Sequence, residues 1–225
     1  TISNVASPAS AQDPGTTMNL SIGSIALENV ATGAEGLIAV GAATFSDRKL
    51  EFTGPQNKSF VIDIPKASAE DWYVAVLGAN PTPLQVFRGS MGIAKKMTSG
   101  EIKITAEGQT FTAKGIESAW SGDPVTGAGK TTMSFNDLVI PESAIALLDP
   151  AGKLKALGYS GLTLNAGGDG EFTVTGESFG MSGTINIASK DMAGLTFSYG
   201  ASDIPIAVMA EMQAAQKSGR PPDFN

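Results

Sequence analysis

The sequence predicts a mainly β fold, a β-rich α+β protein in which antiparallel strands follow one another as meanders. Charged residues make up only 16% of the 225-residue chain, against roughly 25% in an average soluble domain. The chain also contains 27 glycines, and many of them separate segments in which apolar and polar side chains alternate. We therefore expect a curved and bulged sheet, or a sandwich of two sheets, with a short helix after Pro141 and an amphipathic helix near the C-terminus.

The chain divides into an N-terminal arm, residues 1–16, and one β-rich domain, residues 17–225. Ile2 and Val5 are the sizeable apolar side chains of the arm. Because such a segment can bury little surface, we predict that it is flexible and without regular structure.

Two segments of the domain resemble each other in a way that is compatible with a duplication. TMNLSIGSIALEN, from Thr17, and TTMSFNDLVIPES, from Thr131, each begin a strand near a Thr-Met pair and lose their alternation midway. The domain is therefore a single unit or two related halves, residues 17–115 and 116–225, that share one core.

The loss of alternation within a strand predicts a bulge or a change of face. Leu20 and Ile22 lie on one face of the first strand, whereas Ile25 and Leu27 have the opposite parity. A bulge at Gly23, where the phase changes, would return all four to one face. The same phase change occurs between Met133 with Phe135 and Leu138 with Ile140.

The middle of the chain alternates over shorter stretches. A strand with Phe60, Ile62 and Ile64 is predicted to end at Pro65. The acidic residues after Ser68 favour a short helical turn that runs into a strand. Further on, two alternating segments flank Glu107-Gly108, which is the signature of a tight hairpin.

The second half predicts two helices around a meander. Pro141 fits the first position of a short helix that Asp149-Pro150 ends. A second helix is predicted over Asp203–Ser218, because its apolar residues recur at helical spacing. Between the helices we predict four strands, with Gly167–Gly170 as a turn between the first two. Their alternating apolar residues are Leu162 and Leu164, Phe172 and Val174, Ile185 and Ile187, and Leu195, Phe197 and Tyr199.

The composition excludes several common chemistries. The chain contains no His and no Cys, so it cannot form a Ser-His-Asp triad, a cysteine nucleophile, a disulfide or a zinc site with nitrogen or sulfur ligands. The net charge is -7 and Lys95-Lys96 is the largest basic cluster, so we expect no nucleic-acid partner. Apolar runs stay far below the ~18 residues of a membrane-spanning helix, so the chain is not expected to be an integral membrane protein.

Two motifs resemble ligand sites and are better explained as turns. Gly129-Lys130-Thr131 matches the end of a phosphate-binding loop, but Pro124 stands where the motif needs glycine and a strand follows instead of a helix. Asp169 and Glu171 supply two carboxylates, whereas calcium takes six to eight oxygen ligands. We accordingly predict no catalytic residue, no cofactor and no metal ligand.

The apolar face of the sheet remains as the candidate site. The same side chains could form an ordinary core or line a cavity for a hydrophobic ligand. The predicted core or ligand-lining residues are Phe172, Val174, Ile185, Ile187, Leu195, Phe197, Met209 and Met212.

These observations predict a non-catalytic protein that binds a hydrophobic or amphipathic small molecule such as a lipid. The first alternative is a structural or protein-protein interaction module, with a protein partner in place of the ligand. A more distant alternative is a hydrolase that uses carboxylates or a Ser/Lys pair. Glycine-punctuated, Thr/Ser-rich strands in an acidic chain without Cys resemble in composition the proteins of the Gram-negative cell envelope, which implies a periplasmic or extracellular location.

Overall fold

A single large antiparallel sheet dominates the protein. In the described part of the chain strands account for 69% of the residues and helices for 12%, so the predicted mainly β fold is confirmed. Hydrogen bonds join 13 strands into one sheet in the part of the chain that is described, and the single sheet is thus the arrangement adopted. The computed structural model describes residues 2–6, 10–11, 17–54, 59–76, 78–79, 81–149, 151–190, 192–208 and 211.

The strands include several of unusual length, since a typical strand has 5 to 6 residues. Those of the first half are β1 (Ile2–Ala6), β2 (Ser10–Ala11), β3 (Thr17–Thr32), β4 (Leu37–Thr53), β5 (Ser59–Ala75), β6 (Ala94–Ser99), β7 (Ile102–Ala106) and β8 (Gln109–Ala113). Those of the second half are β9 (Gly115–Gly122), β10 (Gly129–Ile140), β11 (Leu162–Thr175), β12 (Ser178–Ser189) and β13 (Leu195–Pro205). Three helices lie wholly within the described residues, α1 (Pro83–Met91), α2 (Glu142–Leu148) and α3 (Lys153–Ala156), and a 3-10 turn spans Ala34–Gly36.

The strand order along the sheet is β1-β3-β4-β5-β6-β9-β10-β11-β12-β13. The β7-β8 hairpin fills the remaining space between β5 and β10, and pairs with both. β1 and β13 are the two end strands of this order. Within it, hydrogen bonds between β6 and β9 join the first half of the chain to the second.

The arm differs from its prediction where it is described. Residues 2–6 form β1, which pairs with Ile25 and its neighbours in β3, and residues 10–11 form β2, which pairs with the start of the same strand. The backbone hydrogen bonds offered by the long β3 order these two short segments, although their side chains are mostly small.

The phase change at Gly23 has a different cause from the predicted bulge. The pairing of β3 with β4 keeps one register from end to end. Gly23 lies opposite Asp47, which has a positive φ of 51°, and Pro65 of β5 lies next in the same row. Because the facing strands bend together, the face changes without an extra residue in either strand. We call this transverse row, Gly23, Asp47 and Pro65, the crease.

A second row bends the same three strands in the same way. Asn29 and Asp71 have positive φ values of 54° and 45°, and Gly41 lies between them in β4. A Cβ atom at Gly41 would lie 2.9 Å from the Asn29 Cβ, so the close approach requires glycine. Val40 and Ala43 are both buried although they are three residues apart, which shows the change of face.

We expect the crease to depend on the left-handed conformation of Asp47. A β-branched residue is strained at positive φ, at a cost of roughly 1–2 kcal/mol. Asp47→Val should lower the free energy of unfolding by about that amount in a urea titration, whereas Asp47→Gly should leave it nearly unchanged. Equal stability of the two variants would contradict this account.

Two predictions about β5 were wrong. Pro65 does not end the strand, because it lies at the crease, where no residue pair is formed and its missing N–H costs nothing. No helical turn follows Ser68 either. Pairing with β4 keeps this segment extended to Ala75, and β6 pairs with it as far as Trp72.

The phase change in β10 is a true bulge, which is one of the two predicted alternatives. The register between β10 and β11 shifts between Phe135 and Leu138, and Asp137 has a φ of 49°. The Asp137 carboxylate lies 2.6 Å from the Lys114 ammonium. This hydrogen bond lowers the pKa of Asp137 and raises the pKa of Lys114.

The phosphate-loop resemblance lies in a hairpin. Gly129 begins β10 directly after the turn from β9. The Asp123 carboxylate organises that turn by accepting hydrogen bonds from the Val125 N–H and the Thr126 hydroxyl, each at 2.9 Å. The same hydrogen bonds, that of Val125 first, lower the pKa of Asp123.

The predicted turn at Gly167–Gly170 was wrong. These residues lie within β11, so the first two of the four predicted strands are one strand of 14 residues. A Cβ at Gly168 would collide with the carbonyl oxygen of Thr184 in β12. Glycine serves here for close packing against the neighbouring strand rather than for a turn.

The helices agree with the sequence in part. α2 follows Pro141, which is its N-cap rather than its first residue, and ends before Asp149. The predicted helix from Asp203 begins later, at residue 206, because pairing with β12 extends β13 through Pro205. Residues 206–208 and 211 are helical, whereas Met209 and Met212 lie outside the described residues.

α1 was not predicted, although its sequence carries a complete set of end signals. The Thr82 hydroxyl accepts a hydrogen bond from the Gln85 N–H, and the Gln85 side chain accepts one from the Thr82 N–H. Pro83 occupies the first turn, and Gly92 ends the helix with a φ of 55°. This capping box with Pro and Gly would have located the helix.

Small apolar clusters hold the helices at the two ends of the sheet. Near the β11-β12 turn, Phe179 and Ile206 are buried with Leu84 of α1 beside them. At the opposite end, α2 packs Ala144 and Ile145 against Ile140 of β10. The middle of the sheet, between these clusters, is where the candidate site lies.

Candidate functional site

The two faces of the sheet differ in chemistry from β6 to β13. Directly paired residues share a face and successive residues alternate between faces, so the register assigns each side chain. One face carries Met97, Met133, Phe172, Met181, Ile185 and Phe197. The opposite face carries Lys96, Thr132, Glu171, Ser182, Thr184 and Ser198.

Much of the apolar face is open to solvent. Met133 is 57% exposed, Ile185 45%, Phe197 53% and Tyr199 41%. Large apolar side chains with that exposure contribute little to the core, and a continuous set of them marks an interaction surface.

A hollow of about 690 Å³ runs across this face, and we call it the trough. Its floor includes one row of directly paired residues, from Met97 through Met133 and Gly168 to Ile185. The next row contains Trp120 and ends with Tyr199. The lining is predominantly hydrophobic and comes from six adjacent strands, β6 and β9 to β13.

Glycines give the floor of the trough its depth by leaving room for aromatic rings. A Cβ at Gly183 would lie 2.8 Å from the Tyr199 hydroxyl oxygen, and one at Gly170 would lie 3.1 Å from it. Tyr199 therefore extends across two strands, and side chains at these glycines would push it away.

Trp120 is seated in the same manner. A Cβ at Gly129 would lie 2.8 Å from the indole Nε1, and one at Gly122 would lie 2.9 Å from Cζ2. The indole N–H is buried and has no hydrogen-bond partner in the described part of the chain. Packing on the glycine backbone, rather than a polar anchor, therefore holds the ring.

A smaller hollow of about 120 Å³ continues the trough toward β4, and we call it the side cavity. Met97 and Ser118 line both hollows. Phe45 and Arg48 line the side cavity, and the Arg48 guanidinium carbon lies 5.6 Å from the centre of the Phe45 ring. Burial lowers the pKa of Arg48, but arginine remains cationic in proteins.

Charged groups are rare along the two hollows. Asp169 lines the trough, but the register places its side chain on the polar face, where the carboxylate accepts a hydrogen bond from the Thr184 hydroxyl. Arg48 is the charged residue of the side cavity. A separate cation, Arg88 of α1, is 5% exposed, and its Nη1 lies 3.9 Å from the exposed Glu35 carboxylate.

Two kinds of site considered from the sequence are a calcium site and the Ser/Lys pair of a hydrolase. The described residues bear on both. No cluster of three or more Asp or Glu side chains there could hold a metal ion. Glu171, half of the calcium-like pair, lies 3.8 Å from Lys130 in an exposed ion pair. Each described lysine is at least partly exposed.

The predicted lining residues take different places. Phe172 and Ile185 line the trough. Val174 packs on the cluster of Phe179 and Ile206. Three of the predicted residues lie on the apolar face beside the trough and are exposed: Ile187, Leu195 and Phe197. Met209 and Met212 lie outside the described residues.

The sequence did not indicate the trough residues that come from β6, β9 and β10. Met97, Trp120 and Met133 were not connected to the C-terminal strands, because their proximity depends on pairing between β6, β9 and β10. Arg48 was missed because simple alternation places it on the face opposite Phe45. The glycines facing Trp120 and Tyr199 carried a signal that could have been used, since glycine inside a strand marks close approach.

The fold and the trough together define a class of protein, one with a single large antiparallel sheet that has a polar face and an open apolar face from β6 to β13. No protein-family model, curated protein or solved structure matches the chain. Among the described residues, no helix is both long and apolar enough to cross a membrane.

Proposed function

We propose that this protein is a non-catalytic binding protein, periplasmic or extracellular, that holds a hydrophobic or amphipathic small molecule such as a lipid in the trough. The observation that carries the proposal is the trough itself. Its volume of about 690 Å³ falls within the roughly 300–1,000 Å³ of small-molecule sites. Burial of its exposed apolar side chains by a ligand would be favourable at roughly 25 cal/mol per Å².

The dimensions of the trough suit an extended chain. From β6 to β13 there are five inter-strand steps of about 4.8 Å, or about 24 Å in a flat sheet. One leaflet of a bilayer accommodates its acyl chains in about half of a 30 Å hydrocarbon core, or about 15 Å. A single acyl chain laid across the strands therefore fits within the trough.

The test is a titration with N-phenyl-1-naphthylamine, a neutral probe whose fluorescence rises in apolar surroundings. The native protein should bind it saturably. Met133→Asp should weaken binding at least about tenfold, or about 1.4 kcal/mol, because it places a charge in the floor of the trough. Met133 is already 57% exposed, so this change should leave the stability nearly intact.

Thr132→Asp is the matched control. Thr132 is the preceding residue of β10, is exposed, and lies on the polar face. Its substitution adds the same charge and should change the affinity less than about twofold. Absence of saturable binding by the native protein, or equal losses in both variants, would contradict the proposed function.

The protein-interaction alternative is favoured by one separate observation. β13 ends the strand order of the sheet, and Leu195, Phe197 and Tyr199 are exposed along it. An exposed edge strand with apolar side chains can accept a strand from another protein. A native protein that fails to bind the neutral probe but pairs through β13 would support this alternative.

A further inference from the structure

We propose that the ligand is a single-chain amphiphile with a carboxylate headgroup, of the fatty-acid class, and that Arg48 binds the carboxylate in the side cavity while the chain lies in the trough. This inference rests on the proposed function and adds the chemistry of the headgroup and the direction of the ligand.

The two hollows lie next to each other. Met97 and Ser118 line both, so the headgroup of one molecule can lie in the side cavity while its chain lies in the trough. The trough offers mostly apolar side chains, whereas the side cavity contains Arg48. An apolar channel with a cation at one end matches an amphiphile with an anionic head.

The surroundings of the Arg48 guanidinium favour the binding of an anion. The guanidinium stacks near the Phe45 ring, with 5.6 Å from its carbon to the ring centre, and this contact restricts its orientation. The side chain is partly buried. Among the described residues, no carboxylate lies within 4.0 Å of it, in contrast to Lys49, which lies 2.5 Å from Glu51. A partly desolvated cation without an anionic partner gains most from a bound anion.

The crease puts Arg48 in this position. In a regular strand Phe45 and Arg48 would face opposite sides, because they are three residues apart. The left-handed conformation of Asp47, with a φ of 51°, turns Arg48 onto the face of Phe45. The sheet thus brings a cation to the apolar face at the end of the trough.

The size and charge of the side cavity favour a carboxylate. About 120 Å³ leaves room for a compact headgroup. The planar guanidinium can pair with a carboxylate through two parallel hydrogen bonds. One cation in a protein of net charge -7 suits a monoanion better than a dianionic phosphate.

The length of the chain follows from the strand spacing. Three inter-strand steps lead from Met97 to Gly168 along one row, or about 14 Å at about 4.8 Å per step. A chain of about 12 carbons whose carboxylate lies in the side cavity would therefore enter the trough at Met97 and end within it.

The experiment displaces the neutral probe with three amphiphiles of one chain length: dodecanoate, dodecan-1-ol and dodecyl phosphate, each below its micelle concentration at pH 8. Dodecanoate should act at a concentration at least about tenfold lower than dodecan-1-ol. In Arg48→Met the two should differ less than twofold, with the probe and the alcohol bound as in the native protein. Arg48→Gln, which keeps a polar head without charge, should show the same loss.

Lys49→Met is the matched control, since it removes one positive charge from the adjacent residue of the same strand. It should keep the tenfold preference for dodecanoate. The proposal is overturned by equal potency of acid and alcohol on the native protein, by an equal loss in Lys49→Met, or by dodecyl phosphate acting at lower concentrations than dodecanoate. In each of these outcomes the probe still binds and the proposed function stands, whereas failure of the probe to bind would overturn both.

Discussion

Replacing Ile206 by alanine is expected to lower the free energy of unfolding by about 2 to 5 kcal/mol, the range for a large-to-small change in a core. Ile206 is 3% exposed and packs with the buried Phe179, and Leu84 of α1 adjoins this cluster. Its N–H also donates a hydrogen bond to the Glu177 carbonyl at 2.8 Å. The cluster joins β12, α1 and the start of the last helix, so a cavity there should weaken all three. Urea unfolding followed by circular dichroism would measure the loss.

Ile185→Ala is the control for this prediction. The residue type and the substitution are the same, but Ile185 is 45% exposed in the trough. Its replacement should cost less than about 1 kcal/mol, since surface changes are usually small. Similar losses at the two positions would mean that the trough contributes to the core and is not an open binding surface.

Gly183→Val is expected to destabilise the protein by about 3 kcal/mol, the upper end of the usual cost of overpacking. A Cβ at this position would collide with the Asp169 carbonyl oxygen of the neighbouring strand and lie 2.8 Å from the Tyr199 hydroxyl. β11 and β12 would have to separate, and Tyr199 would leave the floor of the trough. The neutral probe should accordingly bind more weakly at urea concentrations where the variant is still folded.

Gly200→Ala on the adjacent strand gives the comparison. The nearest atoms to a Cβ at Gly200 are 3.8 and 3.9 Å away, which is ordinary contact. Here alanine should be neutral or stabilising by about 0.4–1 kcal/mol, because it restricts the unfolded chain. A Gly183→Val protein as stable as Gly200→Ala would show that the strand packing at Gly183 is not as close as the structure indicates.

The sequence predicted those features of the fold that depend on local pattern. Alternation located most strands, and Glu107-Gly108 marked a hairpin in which both residues have positive φ. The change of phase in β10 correctly indicated the bulge near Asp137. These predictions succeeded because parity and turn chemistry are encoded in adjacent residues.

The failures share one cause, which is pairing between distant strands. Gly167–Gly170 were predicted to form a turn, yet β10 and β12 pair with these residues on both sides and hold them extended. Pro65 was predicted to end a strand, yet β5 pairs with β4 directly before and after it. Asp203 reads as a helix start, yet it has a φ of 57° within β13. In each case hydrogen bonds along a long ladder outweigh the preference of a single residue, which amounts to about 1 kcal/mol or less.

By itself the sequence determined that the protein is mainly β, that it lacks imidazole and thiol chemistry, and that one face of its strands is apolar. These properties follow from composition and from the period of two. Only the tertiary structure decided that the apolar face forms an open trough, because exposure depends on what packs against it. It also decided that Arg48 shares this face with Phe45, since the crease at Asp47 rotates the strand by one position. Alternation shows that successive side chains point to opposite faces of a strand. The partner strands determine which face of the sheet each side chain occupies and whether another element covers it.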